Sequence, residues 1–254
     1  MATTPLPESQ ATTIAPAPMG AIGRITGVLF NPRPAFEDIA ARPGWNWIVP
    51  LFVMCILSLA VVAIFGQRVG WRTFMERQFA NNPRIEQLTP DQRDRALERA
   101  VKIAPIFAYV EVVLIPFVIP VIIAAVLLGA MNLMAGARIQ FKTSMAIIAY
   151  SWVPFLVSGL IGILLLFIKP PDTIELEHLV ASNVAAFLPD DAPKWLESLG
   201  MSIDLFSFWV FTLQAIGFAA ASPKKLSFGK ALAIIFLVWA IWVLFKSGLA
   251  GAFS

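Results

Sequence analysis

Between Thr143 and Ile168 the chain runs for 26 residues without an Asp, Glu, Lys, Arg or His. At a rise of about 1.5 Å per residue, a helix of that length covers the roughly 30 Å of a bilayer's hydrocarbon and leaves some over for tilt. This stretch constrains the whole chain, because its natural solvent is lipid. Arg138 and Lys142 stand just before it, in a short connector that follows another apolar run. Short loops carrying Lys and Arg stay in the cytoplasm, so the same stretch also suggests an orientation.

Composition agrees. Hydrophobic residues make up 58%, charged residues 14%, and mean hydropathy is +0.77, whereas a soluble domain carries about 25% charged residues. The net charge of +3 is small, and the charges fall between apolar runs rather than along one strip. No nucleic-acid surface is expected from that pattern. The single cysteine, Cys55, cannot form an intrachain disulfide. With no basic neighbour to activate it, it reads as a small buried or lipid-facing side chain.

In chain order, residues 1–18 are rich in Thr, Ala and Pro and read as a disordered tail. Residues 19–44 read as cytoplasmic interfacial helices. Ile22, Ile25, Val28 and Leu29 recur at helical spacing with Arg24 on another face, and Asn31-Pro32 breaks the run before Phe36 and Ile39. Such helices lie at the membrane surface or pack on the protein's own spans. The remainder, 45–254, is expected to be a five-span membrane domain, an all-α polytopic bundle. Its spans fall at 45–66, 103–135, 143–168, 205–221 and 231–247, and polar extracytoplasmic segments fall at 67–102 and 169–204. Trp45 and Trp47 suit an interfacial belt at the first span.

The 67–102 segment carries eight basic residues against five acids and reads as a solvated face or a lipid-headgroup or partner surface. Thr89-Pro90-Asp91-Gln92 is a helix start of the capping-box type. The second span contains Pro105, Pro116 and Pro120, which predict one kinked or tilted helix. The 169–204 segment holds seven acids, including Glu177, Asp190 and Asp191. Asp172 with Glu175 predicts a helix whose apolar face is Leu176, Leu179, Val180 and Phe187. A short helix around Trp195 to Leu199 is expected to stop at Gly200.

Two short basic loops, 136–142 and 222–230, belong on one side with the N-terminal Arg residues. Five spans then place the N-terminus in the cytoplasm and the C-terminus outside. The basic 67–102 segment runs against this, but long segments weigh less in the charge rule. Ala125 with Gly129, Ser158 with Gly162, and Gly217 with Ala221 put small residues one turn apart on three spans, which suits close helix packing in lipid.

Several segments carry a family likeness. Ala149-Tyr150-Ser151-Trp152-Val153-Pro154 resembles the glycine-tyrosine-x-x-x-proline segment of the Yip-one (Ypt/Rab-interacting protein) domain family, with Ala149 in the glycine's place. Asp204-Leu205-Phe206-Ser207-Phe208-Trp209 resembles the start of the fourth span in the family's bacterial members, and Asn31-Pro32 to Phe36 fits them too. The likeness covers roughly Ile22 to Gly251. It implies a five-span protein that interacts with other membrane proteins. Eukaryotic members sit in Golgi and endoplasmic reticulum membranes and bind Rab GTPases. This chain lacks their aspartate-leucine-tyrosine-glycine-proline segment and longer cytosolic arm, which counts against a Rab GTPase as partner and favours a bacterial inner membrane.

The groups needed for covalent chemistry are sparse. The lone histidine, His178, lies in a polar segment, and there is no His-Glu-x-x-His motif or Gly-rich phosphate loop. No catalytic residue, cofactor or metal is expected. The expected partners are the lipid bilayer and other membrane proteins, or copies of the chain itself. The expected function is a non-catalytic interaction or organising protein of the membrane. The alternative is a small transporter or lipid-handling protein, with Glu111, Tyr150 and Gln214 lining a path. Glu111 leads that list because an ionisable group within a span is a functional candidate, and its other reading is a carboxylate paired with a nearby Arg. Tyr150 and Pro154 are expected to set a kink and a helix contact, Asp204 to cap the fourth span, and Gln214 and Asn132 to form interhelical hydrogen bonds.

Overall fold

The computed structural model describes residues 17–80, 82, 85, 87–176, 178–189 and 192–252. The tail read at 1–18 therefore lies almost wholly outside the described residues, as do Arg84, Glu86, Glu177, Asp190 and Asp191. The described residues form ten α-helices: α1 Ala21–Phe30, α2 Pro32–Ala41, α3 Ile48–Arg68, α4 Trp71–Ala80, α5 Pro90–Ala135, α6 Phe141–Ser151, α7 Val153–Ile168, α8 Lys194–Ser202, α9 Leu205–Ala221 and α10 Phe228–Ala252. The fold is a helical membrane bundle. Four stretches are long and apolar enough to cross a bilayer: Trp45–Arg68, Pro90–Ala135, Phe141–Ile168 and Phe228–Ala252. The 17-residue α9 is shorter, about 25 Å.

The polar helix expected after Thr89 and the second span are one element. α5 runs unbroken for 46 residues. Gln92 Oε1 accepts from the Thr89 N–H at 3.1 Å at its start, and Pro90 needs no hydrogen-bond acceptor there. Pro105, Pro116 and Pro120 sit inside it without ending it. The helix stops at Gly136, whose φ of +62° is a conformation glycine adopts freely. The connector then folds tightly onto Asn132. The side-chain amide donates to Ile139 O at 3.0 Å and accepts from the Ile139 N–H at 2.8 Å. Asn132 therefore binds connector backbone rather than another helix.

The uncharged run divides at Trp152 into α6 and α7. Pro154 is the cause: it has no N–H to donate to Tyr150 O, and its ring would press on that carbonyl. The two halves live in different surroundings. Thr143 through Ser151 are all buried, whereas α7 exposes Leu160, Ile161, Leu164, Phe167 and Ile168. α6 is thus the inner wall of the bundle. It packs between α5, α9, α2 and α3, and Ser144 Oγ donates to Ala124 O of α5 at 2.8 Å.

α9 packs on α10, α2, α6 and α7. Phe208, Phe211, Phe236 and Trp239 interlock α9 with α10 at centroid spacings of 5.7–6.1 Å, within the range for favourable ring pairs. Gly217 allows the closest approach. A Cβ there would stand 2.5 Å from Ile147 Cγ2 and 2.9 Å from Phe36 Cδ1. By contrast, a Cβ at Gly129 would meet nothing within 4 Å among the described residues, so no close helix approach is made at that glycine.

The 169–204 segment departs from its reading. The helix expected from the Asp172–Glu175 pair is absent among the described residues. Pro171–Thr173 is a single 3-10 turn, and the described residues between it and another single turn at Val184–Phe187 are irregular. Its carbonyls are taken up by tertiary contacts instead. Arg77 donates to Ile174 O at 3.0 Å and Pro171 O at 3.3 Å, and Arg68 donates to Lys169 O at 3.3 Å. Ile174 and Leu179 are buried with Phe65, Val69 and Leu166. Gly200 does not end α8. It lies inside the helix, where a Cβ would stand 2.9 Å from Ala185 N.

Candidate functional site

α1 and α2 form a hairpin that is docked on the bundle. Ala35, Phe36 and Ile39 of α2 are fully buried, and α2 packs against α9 and α6 while α1 also touches α7 and α3. Of the two readings left open by the sequence, α2 follows the one in which it packs on the protein's own spans. α1 buries Val28 and its cation, Arg24, on one side, with Ile25 and Leu29 packed partly buried beside them, and leaves Ile22 and Phe30 outward, 77% and 85% exposed.

Arg24 meets Asp38 at the centre of this docking. Arg24 Nε donates to Asp38 Oδ2 at 2.8 Å, and the two side chains are 4% and 6% exposed. Arg24 also donates to Arg42 O at 3.0 Å, Arg42 pairs with the other Asp38 oxygen, and the Met19 N–H approaches that oxygen at 3.5 Å. The Arg24 guanidinium lies 5.9 Å from the centroid of the Tyr150 ring, and Tyr150 OH donates to Asn46 O at 3.0 Å. Residues from α1, α2, the turn at Trp45–Trp47 and α6 therefore gather around the Arg24–Asp38 pair. A buried charge is tolerable only when paired and hydrogen-bonded, and here Arg24 and Asp38 are both.

Burial alone would raise the Asp38 carboxyl. The Arg24 hydrogen bond and charge, the Met19 N–H and the Arg42 charge outweigh it and hold the carboxyl below its ordinary value. A carboxylate lowered on folding stabilises the fold above its unfolded value, about 3.9, and loses that contribution as pH falls through the folded value. The melting-temperature gap between wild type and Asp38→Asn in detergent is therefore expected to stay constant from about pH 7 to pH 5 and to close below about pH 4. A gap that persists undiminished in acid would contradict the assignment.

The residues picked out by the sequence do not converge. Tyr150 is fully buried at the hub, and Pro154 is buried where α7 begins. Gln214 is buried on α9, and Trp209 is half-buried at the edge of the main core. Asp204 Oδ2 accepts from the Ser207 N–H at 2.7 Å, and Oδ1 accepts from Ser182 Oγ. Glu111 faces outward on α5 beside exposed Val110 and Leu114, with no ion pair among the described residues. Glu111 thus stands outside the core that holds Tyr150 and Gln214, and among the described residues it pairs with no Arg. Arg24, Asp38 and Asn46 were missed. The available signal was an acid and a base on the two helices ahead of the first span, each next to an apolar row.

Among the described residues no group of three His, Cys, Asp or Glu could hold a metal ion. A family model described as Yip1 domain matches residues 26–249. No curated protein and no solved structure matches the chain.

Proposed function

The chain belongs to the Yip1 domain family, and from that premise we propose that it is a non-catalytic organising protein of the membrane, with the α1–α2 hairpin as its contact surface. The observation that carries this reading is the outward face of α1. A buried ion pair fixes the hairpin on the bundle while Ile22 and Phe30 stand outward as an uncharged row. Holding such a row in place beforehand lowers the ordering cost of an encounter with another membrane protein or a second copy. The outward position of Glu111 weighs against a path through the bundle.

The proposed orientation puts the N-terminus and the basic connectors at 136–142 and 222–230 in the cytoplasm of a bacterial cell, and the C-terminus outside. Reporter fusions near residues 140 and 226 are expected to report the same side as the N-terminus. Fusions reporting the opposite side overturn the orientation.

A photo-crosslinking residue at Phe30, in native membranes, is expected to give discrete protein adducts. One at Leu164, an exposed apolar position on α7, should give lipid adducts only. In liposomes, solute flux is expected to match protein-free vesicles for both wild type and Glu111→Gln. Flux that depends on Glu111 would replace this reading with transport.

A further inference from the structure

The polar segment after α7 does not stay above the bundle. Leu179 and Val180 lie against Gly162, where a Cβ would stand 3.3 Å from Leu179 Cδ2. Ser182 and Asn183 line the same cavity as Ser158 and Gly162, with a volume of about 270 Å³. Asn183 bridges to Asp204, Val184 N–H donates to Ile203 O at 3.1 Å, and Leu205 N–H donates to Ser182 O at 3.0 Å. The irregular chain, the start of α9 and the Asp204 carboxylate therefore meet at the height of Ser158–Gly162.

That height lies at the edge of the hydrocarbon or within it, according to where the bilayer is laid. α9 is about 25 Å long, and beyond its far end Ser222 Oγ donates to Ala137 O at 3.0 Å, in the plane of the basic connectors. A slab of about 30 Å laid from that plane reaches roughly 5 Å past Asp204. Laid instead from Ile168, it buries Gly162 by about 9 Å and Ser158 by about 15 Å. Exposed apolar Leu164, Phe167 and Ile168 are where lipid is required. Irregular backbone at membrane depth is tolerated only where protein covers it or water reaches it.

We infer that residues 174–176 and 178–184 belong to a re-entrant segment and that the cavity lined by Ser158, Gly162, Ser182 and Asn183 is a water-filled inlet. Its hydroxyl and amide lining suits water and small uncharged polar solutes, and its volume holds several waters. The apolar wall of Val61 and Leu179 offers a cation no compensation. The inlet stands independently of the organising role proposed above.

The test is an inversion of accessibility along one helix. In a Cys55→Ser background, Ser158→Cys, Leu164→Cys and Ser182→Cys are exposed to a charged, membrane-impermeant maleimide in sealed proteoliposomes of both orientations. Ser158→Cys and Ser182→Cys are expected to label at least tenfold faster than Leu164→Cys, although Leu164 is nearer the end of α7. Labelling after SDS denaturation checks that every thiol is present. If all three label at one rate, the bilayer ends below Ser158 and the segment is not re-entrant. If none labels, the inlet is dry. Either result overturns the inference.

Discussion

Arg24→Met is expected to destabilise the protein by about 3 kcal/mol, the lower end of the cost of removing one partner from a buried ion pair. The reasoning runs through what is left behind. Asp38 stays buried, and its remaining ion-pair partner, Arg42, is 44% exposed. The Tyr150 ring also loses the guanidinium beside it. The paired change Arg24→Met with Asp38→Leu should recover most of the loss, because apolar side chains of similar volume replace a buried pair at little net cost. Tyr150→Phe, which removes one neutral hydrogen bond, should cost only about 1 kcal/mol. Melting of purified variants in one detergent gives the ranking. A double variant less stable than Arg24→Met alone would refute the account of the hub.

Gly217→Leu should separate α2 from α9. Even the first carbon of a side chain collides there with Ile147 and Phe36. Ile147 is β-branched and held to one rotamer in a helix, so it cannot swing aside. Phe36 is fully buried, so its ring has nowhere to go without moving α2. Gly217→Ala is expected to cost 1–3 kcal/mol by overpacking, and Gly217→Leu more than that. A Phe36→Ala background should soften the Gly217→Ala penalty, because it removes one of the two colliding groups. Undocking would also show as faster proteolysis around Arg42–Gly44, where the hairpin joins the first span. Equal penalties in both backgrounds would mean that Ile147 alone sets the contact.

The membrane class and the helix starts at Thr89 and Asp204 were legible because each is written locally. A long uncharged run, a capping sequence and a belt of aromatic residues need no partner to be recognised. Periodicity could not reveal where α2 goes. Phe36 and Ile39 would look the same facing lipid or facing Gly217, and only the tertiary fold decides. The Arg24–Asp38 pair was hidden for the same reason: the two residues lie on separate helices, and a charge ahead of a span reads by default as solvated. The 169–204 segment misled because its acids suggested solvent and a capping box. The carbonyls of Lys169, Pro171 and Ile174 instead find donors on Arg68 and Arg77 of distant helices, which local sequence cannot express.

α5 carries a mechanical implication. As an unbroken rod of 46 residues, it is about 69 Å long, well beyond the thickness of the bilayer it crosses. Its polar third leans on α4, and its other end is clamped through Asn132 to the connector at Ile139. Pro116 and Pro120 are gripped in the packed interior, which leaves Pro105, where the rod enters the apolar region, as its most compliant joint. A torque applied to the arginine-bearing arm above that joint is thus divided between bending there and twisting the loop on the opposite membrane face.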